Sequence, residues 1–272
     1  MQQTSDLDKL SVSILCEKIM IGELGIHPKN MSIIGASYIY QTSRFPESKT
    51  KYRNYYVLMR IESYFGACCH TPEQLEMEIA EELSGIPLIT ALKDIRLPVK
   101  IAAMDVYLGV THPHSTACSR VVNLPGGTPI ERALYRDSLV AEVANIKTSE
   151  KVALIGVVNP LVEAIKQRGG ICLPCDLHME ETQWGEKVEH DMEKVMDIAD
   201  RVICTGMTLS TGTFDRIVAR VTERQIPLIV YAQTGSAIIA QFVGRGVTSL
   251  VAEPFPFSQL SATSTQLYCY ES

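Results

Sequence analysis

The chain has 272 residues, of which 46% are hydrophobic and 21% charged, and its formal net charge is −6. This is the composition of a globular protein with ample length for a core, and its scattered Lys and Arg residues argue against a nucleic-acid partner. The longest apolar run, Val152 to Val158, is far below the roughly 20 residues of a membrane helix. With no signal peptide in the sequence, we expect a cytoplasmic protein without a membrane partner. Its eight cysteines have no regular spacing, and most of them are expected to be reduced core thiols.

The sequence of the N-terminal half predicts strands followed by helices. β-rich runs at 31–43 and 55–65 flank a polar stretch at 44–54, which predicts a hairpin with a long connection. Thr71-Pro72-Glu73 is typical of a helix start, and apolar spacing continues to Gly85. A second helix is predicted at 99–108. This order indicates an α+β domain.

The C-terminal half alternates strands and helices. A helix over 129–146 follows Gly126-Gly127 and links the halves. Strands are predicted at 152–156, 171–175, 201–205, 227–231 and 249–252, and helices at 160–168, 186–198, 213–223 and 236–243. This rhythm predicts a Rossmann-like parallel sheet. We therefore expect an α/β protein with an N-terminal α+β domain (1–128), a linking helix (129–147) and a Rossmann-like domain (148–272).

A polar run follows the apolar strand core Val202–Cys204. In α/β sheets, ligands bind at the carboxyl ends of strands. The predicted ligand-binding residues of this run are Thr205, Gly206, Thr208, Thr211 and Thr213, the last also being a candidate helix N-cap. The alternative is a Thr-rich turn whose hydroxyls bond their own backbone. Gln233 and Thr234, after the next strand, are predicted to complete the pocket.

The first strand-to-helix turn, Gly156-Val157-Val158-Asn159-Pro160, has one glycine where a dinucleotide fold needs three. This argues against classical NAD or FAD binding, although Gly156 and Asn159 remain candidates for ligand contact. The alternative is a tight turn capped by Asn159. Asp176 lies 20 residues after Gly156, where an acidic residue holds a ribose diol. A diol contact would also suit S-adenosylmethionine, a minor option because its glycine-rich loop is missing too.

Cys172, Cys175 and His178 form a C-x-x-C-x-x-H cluster that suits zinc or a softer transition metal. Alternation along a strand points the two cysteines to opposite faces unless the chain bends at Pro174. Buried cysteines with a loop histidine are the alternative interpretation.

Two further segments of the N-terminal half contain candidate groups. His112-Pro113-His114 follows the helix that contains Asp105, so a carboxylate–histidine metal site is one hypothesis and a solvated loop the other. In Gly66-Ala67-Cys68-Cys69-His70, Gly66 is predicted to line a cleft. The adjacent thiol and imidazole are a weak candidate for a nucleophile pair because neighbours in an extended chain point apart.

Three segments carry a resemblance to a known family. Residues 199–216 resemble the "aDvViiTGttlvNgTld" signature of DUF364, a heavy-metal chelation family, 151–162 are similar to its "VgmVGyfpplv", and 101–106 to its "iAAlNAl". Asp105 stands where the family usually has Asn. The resemblance implies an enolase-N-terminal-like domain of the DUF4213 type before a Rossmann-like domain.

The sequence leads to two functional hypotheses with the ligand in a cleft between the domains. The first is an enzyme acting by condensation, hydrolysis or group transfer on a polar metabolite, with Asp105, Asp176 and His178 as acid–base groups. The resemblance implies a metallophore-related context. The second is a non-catalytic binder of a metal or metal chelate. The apolar hairpin edge would also allow a homodimer.

Overall fold

The computed structural model describes residues 10–44 and 51–272 and contains two sheets. The three-stranded antiparallel sheet has the order β1-β2-β3, and the seven-stranded sheet has the order β4-β10-β9-β8-β7-β5-β6. The strands are β1 (Gly35–Ser43), β2 (Tyr52–Ile61), β3 (Tyr64–His70), β4 (Arg120–Leu124), β5 (Lys151–Ile155), β6 (Ile171–Cys175), β7 (Arg201–Thr205), β8 (Leu228–Ala232), β9 (Ser249–Ala252) and β10 (Thr265–Glu271).

Helices cover both sheets. They are α1 (Val12–Met20), α2 (Ile79–Leu83), α3 (Leu88–Leu92), α4 (Leu97–Thr111), α5 (His114–Ala117), α6 (Pro129–Val143), α7 (Asn159–Gln167), α8 (Met192–Ile198), α9 (Met207–Ser210), α10 (Phe214–Arg224) and α11 (Ser236–Ala240). In the described parts of the chain, no helix is long and apolar enough to cross a bilayer.

The small sheet differs from its prediction in two places. The run at 55–65 is divided between β2 and β3 because Glu62 adopts a left-handed backbone conformation (φ 50°) that turns the chain. Of the predicted connection at 44–54, residues 45–50 lie outside the described residues. The helix predicted from Thr71 begins only at Ile79, since Thr71 and Gln74 hydrogen-bond each other in a separate turn.

Helix α4 is the central helix of the N-terminal half and is buried almost all round. It packs directly on β3, and Gly66 allows this contact: a Cβ there would lie 2.1 Å from the backbone nitrogen of Val106. Gly66, predicted to contact ligand, is therefore a close-packing position against α4.

The large sheet confirms the α/β class. Its strands β5 to β9 are parallel. Their sequences are nearly continuous apolar runs because helices cover both faces of the sheet. The sequence analysis did not predict two strands, β4 and β10. Strand β10 pairs antiparallel with both β9 and β4, in a register that places Leu124 opposite Thr265. The described residues before 129 thus contribute one strand, β4, to this sheet.

The local sequence explains the helix ends. Thr128 caps α6 in a capping box with Glu131. Thr213 occupies the predicted N-cap position of α10, although its side chain makes no capping bond and its hydroxyl instead donates to the carbonyl of Thr208. Helix α8 starts at Met192 rather than at 186 because the preceding residues bridge back to the chain, with Lys187 paired to Glu181.

Candidate functional site

A cleft of about 610 Å³ lies at the carboxyl ends of β5, β7 and β8, beneath the small sheet. The large sheet contributes three loop segments, 156–158, 205–207 and 233–234, together with Tyr231. The small sheet contributes residues 51–54 with Tyr56 and Cys69, and α6 contributes Arg136. The cleft has the size of an ordinary small-molecule site.

The loops after β5 and β7 diverge at this cleft. From β5 the chain passes to β6 on one side, and it then returns to β7 on the other side of β5. Such a reversal of strand order is the place where open α/β sheets bind their ligands. We call the opening between segments 156–158 and 205–207 the crevice.

Gly156 and Thr205 shape the crevice. Gly156 has φ +87°, and a Cβ on it would lie 2.6 Å from the Thr205 hydroxyl oxygen. A larger residue at 156 would therefore be strained in its backbone and would displace that hydroxyl.

Thr205 differs from the other hydroxyl residues of its loop. Its hydroxyl is buried and has no hydrogen-bond partner in the described chain. The hydroxyl of Thr208 donates to the Thr205 carbonyl at 2.8 Å. Those of Thr211 and Thr213 contact each other at 2.9 Å and bond nearby backbone carbonyls. Thr205 and the neighbouring Gly206 line the cleft; Thr208, Thr211 and Thr213 do not.

Asp176 lines the cleft, but its oxygens hold the protein's own backbone. One oxygen accepts from the amide of Val157 at 2.9 Å, and the other accepts from the amides of His178 and Met179. The carboxylate thus ties the β6 loop to the β5 loop, and the exposed His178 lies beside it on the cleft wall.

Asn159 lies just behind the cleft and is fully buried. Its side-chain nitrogen donates to the Tyr52 hydroxyl at 2.8 Å, and its oxygen accepts from the Gln183 amide at 3.0 Å. Asn159 therefore positions Tyr52 on the opposite wall and does not itself line the cleft.

The two cysteines of the predicted metal cluster lie on different faces of the sheet. Cys175 belongs to the core shared by both sheets, whereas Cys172 packs against the second core on the other face. Burial raises the pKa of each thiol to about 12. In residues 10–44 and 51–272, no three His, Cys, Asp or Glu side chains come together as a metal site, so the structure does not assemble Cys172, Cys175 and His178.

Asp105 is buried behind the cleft and does not line it. Its two oxygens accept from the amides of Ala67 and Ala237, each at 2.9 Å, which joins β3, α4 and α11. Burial raises the pKa of this carboxyl to about 7. These contacts account for Asp105 without an acid–base role at the cleft.

The predicted histidine sites also separate. His114 is buried between the hydroxyls of Tyr270 (2.7 Å) and Ser236 (3.0 Å), and burial lowers its pKa to about 4. His112 contacts the Thr111 hydroxyl at 2.9 Å. The predicted carboxylate–histidine metal site is therefore not formed.

Cys69 and His70 point to opposite faces of the small sheet. Cys69 lines the cleft and packs near Phe257, and burial raises its pKa to about 12. His70 lies against Tyr38 on the other face. The two side chains do not form a nucleophile pair.

The cleft floor contains a buried charged cluster that sequence reasoning missed. We call Arg136, Asp137, Tyr231 and Glu253 the floor cluster. Arg136 donates to Asp137 at 2.7 Å, lies 3.9 Å from Glu253 and stacks over the Tyr231 ring. Glu253 accepts from the Tyr231 hydroxyl at 2.6 Å. The sequence feature that could have indicated this cluster is Arg136 on the apolar face of α6. A charged side chain is buried at such a position only when it has partners.

An amide pair connects the floor cluster to the small sheet. The side chains of Gln233 and Gln259 donate to each other at 2.7 and 3.0 Å. Gln233 also donates to Glu253, and Gln259 contacts the Tyr56 hydroxyl at 2.8 Å. Gln233 and Thr234 both line the cleft, as the sequence predicts, but Gln233 is already engaged in protein contacts.

This is an α/β protein with a cleft at its strand-order reversal, and part of the chain is similar to a known family. The family model DUF364, described as "Putative heavy-metal chelation", matches residues 139–250. This match confirms the DUF364 resemblance for that part of the chain; the DUF4213 resemblance stays a prediction. No curated protein matches the chain.

Two solved structures are similar over almost the whole chain. A DUF364 protein of unknown function from Desulfitobacterium hafniense DCB-2 has a TM-score of 0.62 at 14% identity, covering 97% of this chain and 100% of that one. A second, from Pyrococcus horikoshii, has a TM-score of 0.56 at 13% identity, covering 95% and 98%. At these identities the similarity establishes the fold.

Proposed function

We propose that the protein is an enzyme acting on a small polar metabolite bound in the cleft, in a pathway connected with metal chelation. The observation that carries the proposal is the buried Thr205 hydroxyl, which has no partner in the described chain and lies in the crevice. A buried polar group without a partner is costly, so such groups in native proteins have a reason to persist. A ligand that accepts a hydrogen bond from Thr205 supplies that reason.

The position of the cleft supports the same conclusion. The crevice lies where the strand order reverses, and its walls come from both sheets. His178 is the acid–base candidate that remains, because it is exposed on the cleft wall while Asp176 is engaged by backbone amides. In this proposal His178 exchanges a proton with the bound metabolite.

The family description favours a second candidate, a non-catalytic binder of a metal chelate. Both candidates use the same cleft. In the described residues the cleft offers hydroxyl, amide, imidazole and cationic groups but no assembled set of metal ligands. A metal ion would therefore enter as part of a chelate, as substrate or cargo.

Native mass spectrometry with elemental analysis on freshly purified protein, before and after a chelator, tests the proposal. We expect an organic adduct in the wild type that Thr205→Val loses and Thr205→Ser keeps. Conversion of the released adduct by wild type and not by His178→Asn indicates an enzyme, whereas a retained, unchanged metal chelate indicates the binder. An adduct that survives Thr205→Val unchanged contradicts the assignment of the cleft.

A further inference from the structure

We infer that two copies of the chain associate through β1, whose outer edges pair antiparallel about a twofold axis at Tyr40. This pairing joins two small sheets, each of three strands, into one continuous sheet. It gives a location to the homodimer that the sequence allows. The inference concerns an interaction surface and does not rest on the proposed function.

The outer edge of β1 is open along most of its length. β1 is the outermost strand of the small sheet and pairs with β2 on its inner side. The Ala36 amide points away from β2, because it donates to the Ser84 hydroxyl at 3.1 Å. Alternate residues of a paired strand direct their backbone groups to the same side, so the amides of Tyr38, Tyr40 and Thr42 point outward too. Within the described chain these three amides have no hydrogen-bond partner.

The sequence of β1 lacks the features that protect an edge strand from pairing. Edge strands of native proteins are shielded by short length, by charged side chains, by proline or by a bulge. β1 has nine residues, none of them charged and none of them proline, and its pairing with β2 is uninterrupted. Tyr40 on this strand is 53% exposed. An uncharged edge of this length is a ready template for another strand.

The other sheet edges in the described chain are shielded. At β3, the Ala67 carbonyl accepts from the Gly235 amide at 3.0 Å. β6 contains Pro174, whose carbonyl accepts from the Glu189 amide at 2.9 Å. β4 has five residues and begins with the charged Arg120. Among the described strands, β1 therefore has the edge that is most open to pairing.

The charges at the two ends of β1 identify a second copy as the partner. Beside the end of the strand, Arg44 and Arg53 are exposed and form no ion pair with any described residue. Beside its start lies α2, linked to β1 through Ser84, where Glu78 and Glu81 are exposed and form no ion pair in the described chain. Antiparallel pairing places the basic end of one copy next to the acidic end of the other. Parallel pairing would bring like charges together.

The length of the open segment fixes the position of the axis. Ser84 occupies the edge at Ala36, and β1 ends at Ser43. The free edge therefore runs over residues 37–43, and Tyr40 is its central residue. A twofold axis at this position uses every free backbone group of the segment.

This register also brings aromatic side chains together across the axis. Tyr40 lies opposite Tyr40 of the second copy, and Tyr38 lies opposite Thr42 of the second copy. Tyr40 stacks on Tyr55 with ring centroids 4.7 Å apart, and Tyr38 lies 6.3 Å from Tyr55, so the three rings share one face of the sheet. Cross-strand aromatic pairs stabilise adjacent strands. The tyrosine face thus continues from one copy into the other.

Sedimentation velocity on the full chain, over a range of protein concentrations, measures the dimer dissociation constant. We expect a reversible dimer in the wild type. Tyr40→Lys should raise the dissociation constant at least roughly tenfold, because it places two like charges opposite each other at the axis. Tyr40→Phe keeps the ring and should keep the dimer. Tyr135→Lys is the matched control, because it makes the same change at a tyrosine of α6 that is 45% exposed.

Charge reversal tests the antiparallel direction. Arg44→Glu with Arg53→Glu should weaken the dimer, and so should Glu78→Lys with Glu81→Lys, because each pair of changes brings like charges together. The chain with all four changes should recover the dimer, since opposite charges meet again. A purely structural role of these residues gives no such recovery.

Cross-linking tests the register. Directly opposite residues of a hydrogen-bonded pair have Cα atoms about 5.5 Å apart, a distance that a disulfide spans. Tyr40→Cys should therefore form a covalent dimer under mild oxidation. Ser37→Cys, on the same exposed strand, is the control, because two copies of residue 37 lie about 20 Å apart in this register. The wild type corrects for the native cysteines.

Three results overturn the inference. The first is a chain that stays monomeric at every concentration, which would leave β1 free for a strand of a different protein. The second is a dimer that Tyr40→Lys weakens no more than Tyr135→Lys, in variants whose circular dichroism shows the wild-type fold. The third is a covalent dimer of Ser37→Cys that forms as readily as that of Tyr40→Cys. The cross-linking result decides the matter if Tyr40→Lys does not fold.

Discussion

Two buried polar clusters differ in how many of their polar atoms have hydrogen-bond partners. In the cluster behind the cleft, which we call the rear cluster (Asp105, His114, Ser236 and Tyr270), both oxygens of Asp105 and both ring nitrogens of His114 have partners. In the floor cluster, one oxygen of Asp137 is buried with no partner in the described chain. The cluster in which these polar atoms all have partners lies away from the cleft, and the cluster with an unpartnered oxygen lies beneath it. Burial of polar groups alone therefore does not identify a functional site.

The largest expected effect concerns the only arginine in the floor cluster. Arg136→Leu leaves Asp137 and Glu253 buried without their cation, and we expect the free energy of unfolding to fall by about 3–5 kcal/mol. Urea unfolding measures this loss.

Adding Asp137→Asn to Arg136→Leu should restore part of the stability, because the second change removes one uncompensated carboxyl. Asp137 is the better partner for this test: among the described residues Arg136 is its only hydrogen-bond donor, and burial raises the pKa of its carboxyl. If the double variant is less stable than Arg136→Leu alone, the assignment of Asp137 as the weaker-bound carboxyl is wrong.

In the rear cluster, Asp105→Leu removes the acceptor of two buried backbone amides, those of Ala67 and Ala237. At about 2 kcal/mol for each unsatisfied donor, the loss should be about 4 kcal/mol in urea unfolding. Asp105→Asn keeps one side-chain oxygen and should lose clearly less. Equal losses for the two variants would show that the amide contacts are not the cause.

The rear cluster should also make stability depend on pH through His114. Its folded pKa, about 4, lies below the ordinary value of 6.5, so the unfolded chain binds the proton more readily. The contribution of His114 to the free energy of unfolding, up to about 3 kcal/mol, is fully present above pH 6.5. It is lost as the pH falls through 4.

His114→Gln should therefore gain stability relative to wild type as the pH is lowered from 6.5 to 4, measured by denaturant unfolding at each pH. Asp105 acts in the opposite direction, because its raised folded pKa of about 7 makes its contribution fall as pH rises. The comparison with wild type at each pH cancels that background. A constant difference between variant and wild type would contradict the assignment.

The smallest expected effect separates two neighbouring threonines. Thr208→Val loses the bond to the Thr205 carbonyl and should destabilise the protein by about 1 kcal/mol. Thr205→Val removes a hydroxyl with no partner and should leave thermal stability unchanged or slightly raised. A larger loss at Thr205 than at Thr208 would mean that the Thr205 hydroxyl has a structural partner.

The sequence predicts the central parallel strands well because burial on both faces leaves uninterrupted apolar runs. The prediction of β6 at 171–175 and of β7 at 201–205 agrees with the structure to the residue. It misses β4 and β10, since their pairing joins segments far apart in the chain and no local pattern encodes a partner. Helix starts shift where side-chain turns, such as the one at Thr71, compete with the helix.

The site is predictable only in part because some of its contacts depend on residues that are distant in the sequence. The polar loops after β5, β7 and β8 identify the edge of the sheet that forms the cleft. Whether a hydroxyl is engaged depends on its three-dimensional neighbours, and this separates Thr205 from Thr208. The small-sheet wall and Glu253 come from distant segments, so their meeting at the floor is a property of the tertiary fold.

The pairing of β4 with β10 also has a consequence for how the protein is made. The hydroxyl of Ser264, the residue before β10, donates to the Leu124 carbonyl across a separation of 140 residues. During synthesis, β4 emerges long before the strand that covers it, and its backbone groups stay unpaired until residues 265–271 leave the ribosome. Such long-range closure is slow and exposes a sheet edge. The pairing of β10 with β4 is therefore a long-range folding step, and the edge of β4 stays open to pairing with other chains until that step is complete.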